Sequence, residues 1–190
     1  MANEPFGQAR AGEGMRQDEW RNPMATSATR GVIFIHSAPR ALCAHIEWAL
    51  NTVLNTKLSL EWTDQPVVAG GVRTELTWKG EPEVTERIVT ALKSFPNIRF
   101  EVTQEPCQNY DGQRYVSTPS LGVMRTGLGV YGQALIEEDH ARNAVAAAVA
   151  QGTSLTAVLD ELLGGPWDRE LEPFRSANDA ISVRWLNQVG

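Results

Sequence analysis

Three reactive side chains lie close together in the segment IHSAPRALCAHIEWAL, residues 35–50. His36, Cys43 and His45 are residue types that bind transition metals or act as nucleophile and general base. Cys43 and His45 are two positions apart, however, and an α-helix turns by about 100° per residue, so their side chains point to different sides. We therefore predict no metal site and no cofactor, and we interpret Cys43 as a buried structural thiol.

A candidate anion site lies at the junction between the first predicted strand and the first predicted helix. Residues 31–36, GVIFIH, are typical of a buried strand, and Ser37 followed by Pro39 indicates a helix start with Ser37 as N-cap. Free N–H groups and the helix dipole at such a start attract anions, so His36, Ser37 and Arg40 could hold an anionic metabolite. The alternative is an ordinary helix cap followed by a solvated Arg40.

Tryptophans outside the predicted core are candidates for a protein-binding surface. The residues of this surface are His45, Trp48, Trp167 and Trp185. Large aromatic side chains commonly anchor protein interfaces. The alternative is that these side chains pack against the C-terminal part of the chain, and for His45 and Trp48 we favour packing.

No acid and base are spaced for catalysis in a way that the sequence reveals. The run from Glu137 to His140 resembles a set of metal ligands, but consecutive helical residues fan around the axis. The positive end of a helix dipole explains three acids at a helix start without a metal. An enzyme that uses His36 or His45 as acid or base is therefore the least favoured hypothesis.

Composition limits the classes of partner. The net charge is −6 and no run of Lys or Arg interrupts it, whereas phosphate binding needs a basic face, so we predict no nucleic-acid partner. No apolar run approaches the roughly 18 residues that span a bilayer, and the N-terminal segment lacks the apolar core of a secretory signal. The two cysteines form no disulfide framework, which favours a cytoplasmic location.

The elements that must position these residues predict an α+β fold. Between residues 30 and 105 the order is β-α-β-β-α-β, which is the ferredoxin-like arrangement. The predicted strands are 31–36, 57–63, 72–79 and 98–104, and the predicted helices run from Ser37 to about Asn55 and over 80–97. The polar sides of these strands carry charged residues and no aromatic, which argues against RNA recognition. These polar residues are Glu61, Arg73, Glu75, Thr77, Lys79 and Arg99.

The C-terminal part, residues 106–190, predicts a β-hairpin followed by two helices. The predicted elements are strands near 113–117, 122–126 and 132–136, and helices over 138–151 and 155–163. Prolines in residues 165–175 predict no long helix there, and the alternation of residues 181–189 predicts an edge strand. Because the first strand is apolar on both sides, we expect residues 106–190 to cover its second face within one domain, or else another subunit to do so.

Residues 1–29 are polar and aperiodic, and we predict a disordered arm there. Met24 lies just before the first strand, and we expect it to be the true start of the protein, with the preceding residues dispensable. The alternative is an ordered arm held in place by Trp20.

Several segments together resemble an actinobacterial protein family that is described only as a domain of unknown function. They are HSAPRALCAHIEWAL, GEP, RFEVTQEP, PWDRELEPFR and VRWLNQV, and the resemblance extends over residues 31–189. It implies a stand-alone cytoplasmic protein and brings no catalytic residues. It also suggests attachment to a larger assembly at the cytoplasmic face of a membrane complex.

Three functional hypotheses follow. The leading one is a non-enzymatic accessory or regulatory protein that acts by binding a protein partner. The alternative is a sensor of an anionic metabolite at the first strand–helix junction, and an enzyme is the third. The sequence predicts no oligomeric state.

Overall fold

One antiparallel sheet organises the computed structural model, which describes residues 28–186 and the side chains of residues 28–177. Its strands are β1 (Thr29–Pro39), β2 (Thr63–Asp64), β3 (Gly71–Gly80), β4 (Arg99–Gln104), β5 (Gly112–Thr118), β6 (Gly122–Leu128) and β7 (Ala134–Leu135). The strand order is β2-β3-β1-β4-β5-β6-β7, with every neighbouring pair antiparallel. The helices are α1 (Cys43–Leu54), α2 (Val84–Leu92), α3 (Glu138–Gln151), α4 (Leu155–Leu162) and α5 (Gly165–Leu186). The predicted α+β class is confirmed.

The apolar core lies between one face of the sheet and the helices α1 and α2. We call this side of the sheet the core face. Its central residues are Ile33 and Ile35 of β1, and both lie beside buried residues of β4. The helices contribute Ile46, Leu50, Ile88 and Leu92. Burial of one such side chain stabilises the fold by about 1.5–3 kcal/mol, so this layer holds the central strands in place.

The opposite side of the sheet, which we call the polar face, is partly covered by α5. This helix contacts β1 and β5 and buries Leu171 and Phe174. The polar face carries the alternate residues of the same strands, among them His36 of β1 and Glu101 of β4. One central strand therefore presents its core side to α1 and α2 and its polar side to α5.

The first predicted helix start is wrong. Ser37 lies inside β1 and pairs with Arg99, and Ala38 pairs with Val72. The register of β1 shifts between Ile35 and Ala38, as in a β-bulge, and a short 3-10 helix, Arg40–Leu42, then leads into α1. The helix-start signal of Ser37 and Pro39 is overridden because the strands on both sides of β1 satisfy the backbone hydrogen bonds of β1.

Two further predictions need correction. The strand predicted over 57–63 is reduced to Thr63–Asp64. The C-terminal segment is one long helix, α5, which continues through Pro173 and occupies residues 181–186, where an edge strand was predicted. A proline inside a helix costs about 3 kcal/mol, and the burial of Leu171 and Phe174 on both sides of it offsets that cost.

Several predicted elements are confirmed. The helix α3 has the predicted bounds, and Gly152 ends it with a positive φ of 64°. The predicted hairpin corresponds to β5 and β6. Residues 1–27, with Met24 and nearly all of the predicted arm, lie outside the described residues, as do residues 187–190. Within the described part of the chain, no helix is both long and apolar enough to cross a bilayer.

Gly31 marks a close approach within the sheet. It pairs with Trp78 of β3, and a Cβ atom built on it would lie 1.8 Å from the carbonyl oxygen of Thr103 and 2.8 Å from the indole Nε1 of Trp78. Backbone and a buried indole cannot yield that space cheaply. Only glycine fits at this position.

We therefore expect Gly31→Ala to lower the free energy of unfolding by about 1–3 kcal/mol, the usual cost of forcing an extra methyl group into a packed site. Urea denaturation measures the change. Gly127→Ala is the matched control, because its added Cβ would meet Leu135 at an ordinary 3.5 Å. Equal stability of the two variants would contradict this account of Gly31.

Candidate functional site

A group of ionisable side chains around the buried Glu101 joins α5 to the polar face. We call it the charge cluster, and its members are His36, Glu101, Arg114, Asp168 and Arg175. The first three project from the adjacent strands β1, β4 and β5. The other two lie seven residues apart on α5, which is about two helical turns and hence the same side of the helix. Strand pairing and helix periodicity together bring the five side chains to one place.

Glu101 is the centre of the charge cluster. The Nε2 atom of His36 lies 3.0 Å from its Oε1 atom, and Nε of Arg175 donates to the same oxygen at 2.7 Å. Arg114 donates from Nε and Nη2 to Oε2 at 3.2 and 3.1 Å. The two arginines also share Asp168, whose Oδ1 atom accepts from Arg114 at 2.6 Å and from Arg175 at 2.9 Å. Two carboxylates therefore balance two guanidinium groups.

The environment of Glu101 strongly favours its ionised form. Glu101 is only 8% exposed, and burial alone would raise the pKa of its carboxyl group. The hydrogen bond with His36 and the charges of Arg114 and Arg175 outweigh burial and lower the pKa of Glu101 to about 2. The same arginines lower the pKa of Asp168 against the opposing effect of burial. Both carboxylates are therefore charged at neutral pH.

A cleft of about 430 Å³ opens beside the charge cluster, between β1, β3 and α5. The side chains that matter for its chemistry are Phe34, His36, Glu61, Thr63, Arg73, Glu75, Phe174 and Arg175. Phe34 and His36 stack with ring centroids 5.9 Å apart and an interplanar angle of 9°. The polar face therefore carries an aromatic side chain, Phe34 of β1, where none was predicted. One wall of the cleft is thus built from the paired groups of the cluster, while the opposite rim carries charged residues of β3 and of the segment before β2.

Buried polar contacts fix one end of the cleft. The side chain of Gln65, 2% exposed, donates from Nε2 to the carbonyl oxygens of His36 at 2.6 Å and Phe174 at 3.3 Å. Arg99 packs over the ring of Phe174, with 4.5 Å between its Cζ atom and the ring centroid. These contacts connect the β2–β3 loop, β1 and α5, so α5 is held at several points along the polar face.

A known protein family matches most of the chain. A family model described as a protein of unknown function, DUF3145, matches residues 32–188. The chain belongs to the DUF3145 family. The resemblance to an uncharacterised family over nearly the same residues is confirmed. No curated protein and no solved structure gives a significant match to the chain.

The anion site predicted for this DUF3145 protein required a helix that starts at Ser37, whereas α1 starts at Cys43. His36 lies in the wall of the cleft, in contact with Glu101. Ser37 is buried within β1 and does not cap a helix, and Arg40 is exposed and forms an ion pair with Asp64. The structure therefore brings His36, but neither Ser37 nor Arg40, into the cleft.

The predicted partner-surface residues of the DUF3145 chain are divided between the two sides of the sheet. His45 and Trp48 are exposed on α1, and Trp48 is 70% exposed, so the favoured packing interpretation is wrong for this pair. Trp167 lies on α5 beside the polar face, half-buried, and its Nε1 donates to the carbonyl oxygen of Gly122 at 2.9 Å. The side chain of Trp185 lies outside the described residues.

The remaining reactive groups stay apart. Among the described residues, no three His, Cys, Asp or Glu side chains converge as metal ligands. Cys43 is half-buried, and burial raises the pKa of its thiol, which makes it a poor nucleophile. His140 and Glu137 are both exposed and lie 3.8 Å apart. Cys43 and His45 belong to α1, on the opposite side of the sheet from His36.

Four members of the charge cluster were not recognised in the sequence: Glu101, Arg114, Asp168 and Arg175. A signal for Glu101 exists, because the alternation of residues 98–104 places it opposite Phe100 and Val102. No such signal was read for the last two, since the segment that carries them was predicted to lack a long helix. Their shared helix side became visible only once α5 was in place.

Glu101→Gln should lower the free energy of unfolding near neutral pH by about 3 kcal/mol, because removing one partner of a buried ion cluster leaves the others uncompensated. The pH dependence has a defined sign. The folded pKa of Glu101 lies below its ordinary value of 4.5, so its contribution is present above about pH 4.5 and is lost as the pH falls towards 2.

Urea denaturation over about pH 7 to pH 2 measures both effects, and the wild-type protein should lose about 3 kcal/mol more than the variant over this range. Glu105→Gln is the matched control, because its ion pair with Arg30 is exposed and should contribute little. Parallel pH profiles for wild type and Glu101→Gln would show that Glu101 has an ordinary pKa.

Proposed function

We propose that this DUF3145 protein is a non-enzymatic binding protein whose cleft takes a small polar molecule. The observation that carries the proposal is the cleft itself, in which a wall of fully paired charges faces a rim of charged residues. Its volume of about 430 Å³ lies within the range of about 300 to 1,000 Å³ typical of ligand pockets. The site shares His36 with the predicted anion site and replaces its other two residues.

The chemistry of the charge cluster supports binding over catalysis. A general acid or base works best when its pKa lies near the operating pH. The pKa of Glu101 is about 2, so this carboxylate neither donates nor accepts a proton readily near neutral pH. Its partner His36 is engaged with it at 3.0 Å and is largely enclosed. The paired side chains of Glu101 and His36 are therefore suited to keeping the wall of the cleft rigid.

We also interpret β2, β3, β1 and β4, together with α1 and α2, as a ferredoxin-like unit. The strand order β2-β3-β1-β4 and the antiparallel pairing support it, because a split βαβ arrangement produces both. Both helices of such a unit pack on one face, which leaves the other face free for α5 and a ligand. The two-residue β2 is shorter than a full edge strand.

A screen of small polar metabolites by thermal shift should find at least one compound that raises the unfolding temperature, because a ligand that binds the folded state stabilises it. Arg73→Gln should reduce that shift, since Arg73 lines the cleft. Arg125→Gln is the matched control, an exposed arginine on β6 that should leave the shift unchanged. A library without any stabilising compound would count against the proposal.

A second candidate function is the binding of a protein partner through the outer side of α1. The exposed Trp48, with His45 one turn before it, favours this function, because a largely exposed tryptophan is a typical interface anchor. We propose that such a partner belongs to a larger assembly, at the cytoplasmic face of a membrane complex. The protein would then be an accessory or regulatory subunit.

Affinity purification from native lysate, followed by mass spectrometry, should return a partner that Trp48→Ala no longer captures. Truncation of a central interface aromatic commonly costs about 2 kcal/mol or more of binding free energy. Tyr131→Ala is the control, because Tyr131 is 92% exposed on the β6–β7 loop, away from α1. A partner retained equally by both variants would exclude α1 as the binding surface.

A further inference from the structure

The rim of the cleft carries three charged side chains that have no ion-pair partner among the described residues. They are Glu61, Arg73 and Glu75. Glu61 and Glu75 are exposed, and neither takes part in a described salt bridge. The only described side-chain hydrogen bond of Arg73 runs from its Nε to Oγ1 of Thr63 at 3.3 Å. Although the three side chains line one cleft, Arg73 approaches neither carboxylate within ion-pair distance.

The ionisable side chains of the opposite wall do have partners of opposite charge. Arg175 donates from Nε and Nη2 to Glu101 and Asp168, and these two carboxylates neutralise its charge. Among the described residues that line the cleft, Arg73 carries the guanidinium group without a carboxylate partner, so a negatively charged ligand group meets an uncompensated positive charge there. A positively charged group finds the two carboxylates of Glu61 and Glu75. The available charges of the cleft thus have both signs.

An aromatic surface adjoins the carboxylates. Phe34 is the cross-strand partner of Glu75, and both residues line the cleft. Directly opposed side chains in an antiparallel pair lie about 4.5–5.5 Å apart at Cβ. An ammonium ion beside Glu75 can therefore also approach the Phe34 ring, and cation–π attraction adds to the charge interaction.

The spacing of Arg73 and Glu75 suits a small ligand that carries both charges. They are two residues apart on β3, hence on one face, with a separation of roughly 6.5–7 Å along the strand. A carboxylate and an ammonium group joined by a short carbon chain fit between two flexible side chains at that distance. A larger multiply charged anion would meet Glu61 and Glu75 and be repelled.

We propose that the cleft binds a small zwitterion of the amino-acid class. Arg73 contacts its carboxylate, Glu75 and Glu61 contact its ammonium group, and the Phe34 ring contacts its carbon skeleton. This inference rests on the proposed small-molecule function and narrows it to one ligand class.

The test uses the full chain with the twenty free L-amino acids and two charge-deleted derivatives of each, the N-acetyl form and the carboxamide. Thermal shift identifies binders, and isothermal titration measures their affinities. At least one free amino acid should bind, and both of its derivatives should bind at least about tenfold more weakly, because each lacks one ionic contact.

Two variants separate the ionic contacts. Arg73→Gln should reduce the affinity for the free amino acid to that of the carboxamide. Glu75→Gln should reduce it towards that of the N-acetyl form, because Glu61 keeps its contact with the ammonium group. Arg125→Gln should leave all three affinities unchanged. Glu75 is exposed and Arg73 is half-buried, and unfolding temperatures without ligand confirm that each variant is folded.

The outcomes separate the zwitterion proposal from the more general proposal that the cleft binds a small polar molecule. An N-acetyl form that binds as well as its parent would make the cleft an anion site and overturn the zwitterion. A carboxamide that binds equally well would overturn it in favour of a cation site. Stabilisation by metabolites of another class, with no amino acid bound, would overturn the ligand class while keeping the small-molecule function. No stabilisation by any compound would overturn both.

Discussion

The polar face depends on the hydrogen bonds and charges that neutralise the buried carboxylate of Glu101. Removing a charged carboxylate from water costs several kcal/mol, and only close, well-oriented partners offset that cost. Those partners come from three elements, β1, β5 and α5, so the requirement to compensate one charge fixes the position of the last helix. The wall of the cleft is consequently set by directional hydrogen bonds, whereas the core face is set by apolar packing.

The fold could be predicted from the sequence wherever the pattern of one segment reports its own environment. The strand β3 falls where its alternation predicts it, and the helix α3 falls between the acids that mark its start and Gly152 that marks its end. The start of α1 and the path of α5 could not be predicted in this way. At Ser37 strand pairing overrides a capping signal, and around Pro173 distant contacts offset a helix-breaking residue.

The candidate site shows the same division. His36 attracted attention as a reactive residue and does lie in the cleft wall, but its partner is a strand residue 65 positions away. Finding that partner requires the strand order and the register of β1 against β4, which alternation alone does not supply. Arg73 and Glu75 were correctly placed on the polar face. Neither forms an ion pair with another described residue, and this property of the folded chain is not carried by any sequence pattern.

The position of Arg175 and Asp168 on the last helix bears on how the protein is made. A ribosome releases β1, β4 and β5 long before α5, since 74 residues separate Glu101 from Arg175. The core layer of the nascent chain has all its apolar residues by the end of β5, whereas Glu101 still lacks half of its neutralising charge. The two sides of the sheet thus mature at different times, and the cleft comes into existence only after α5 has been synthesised.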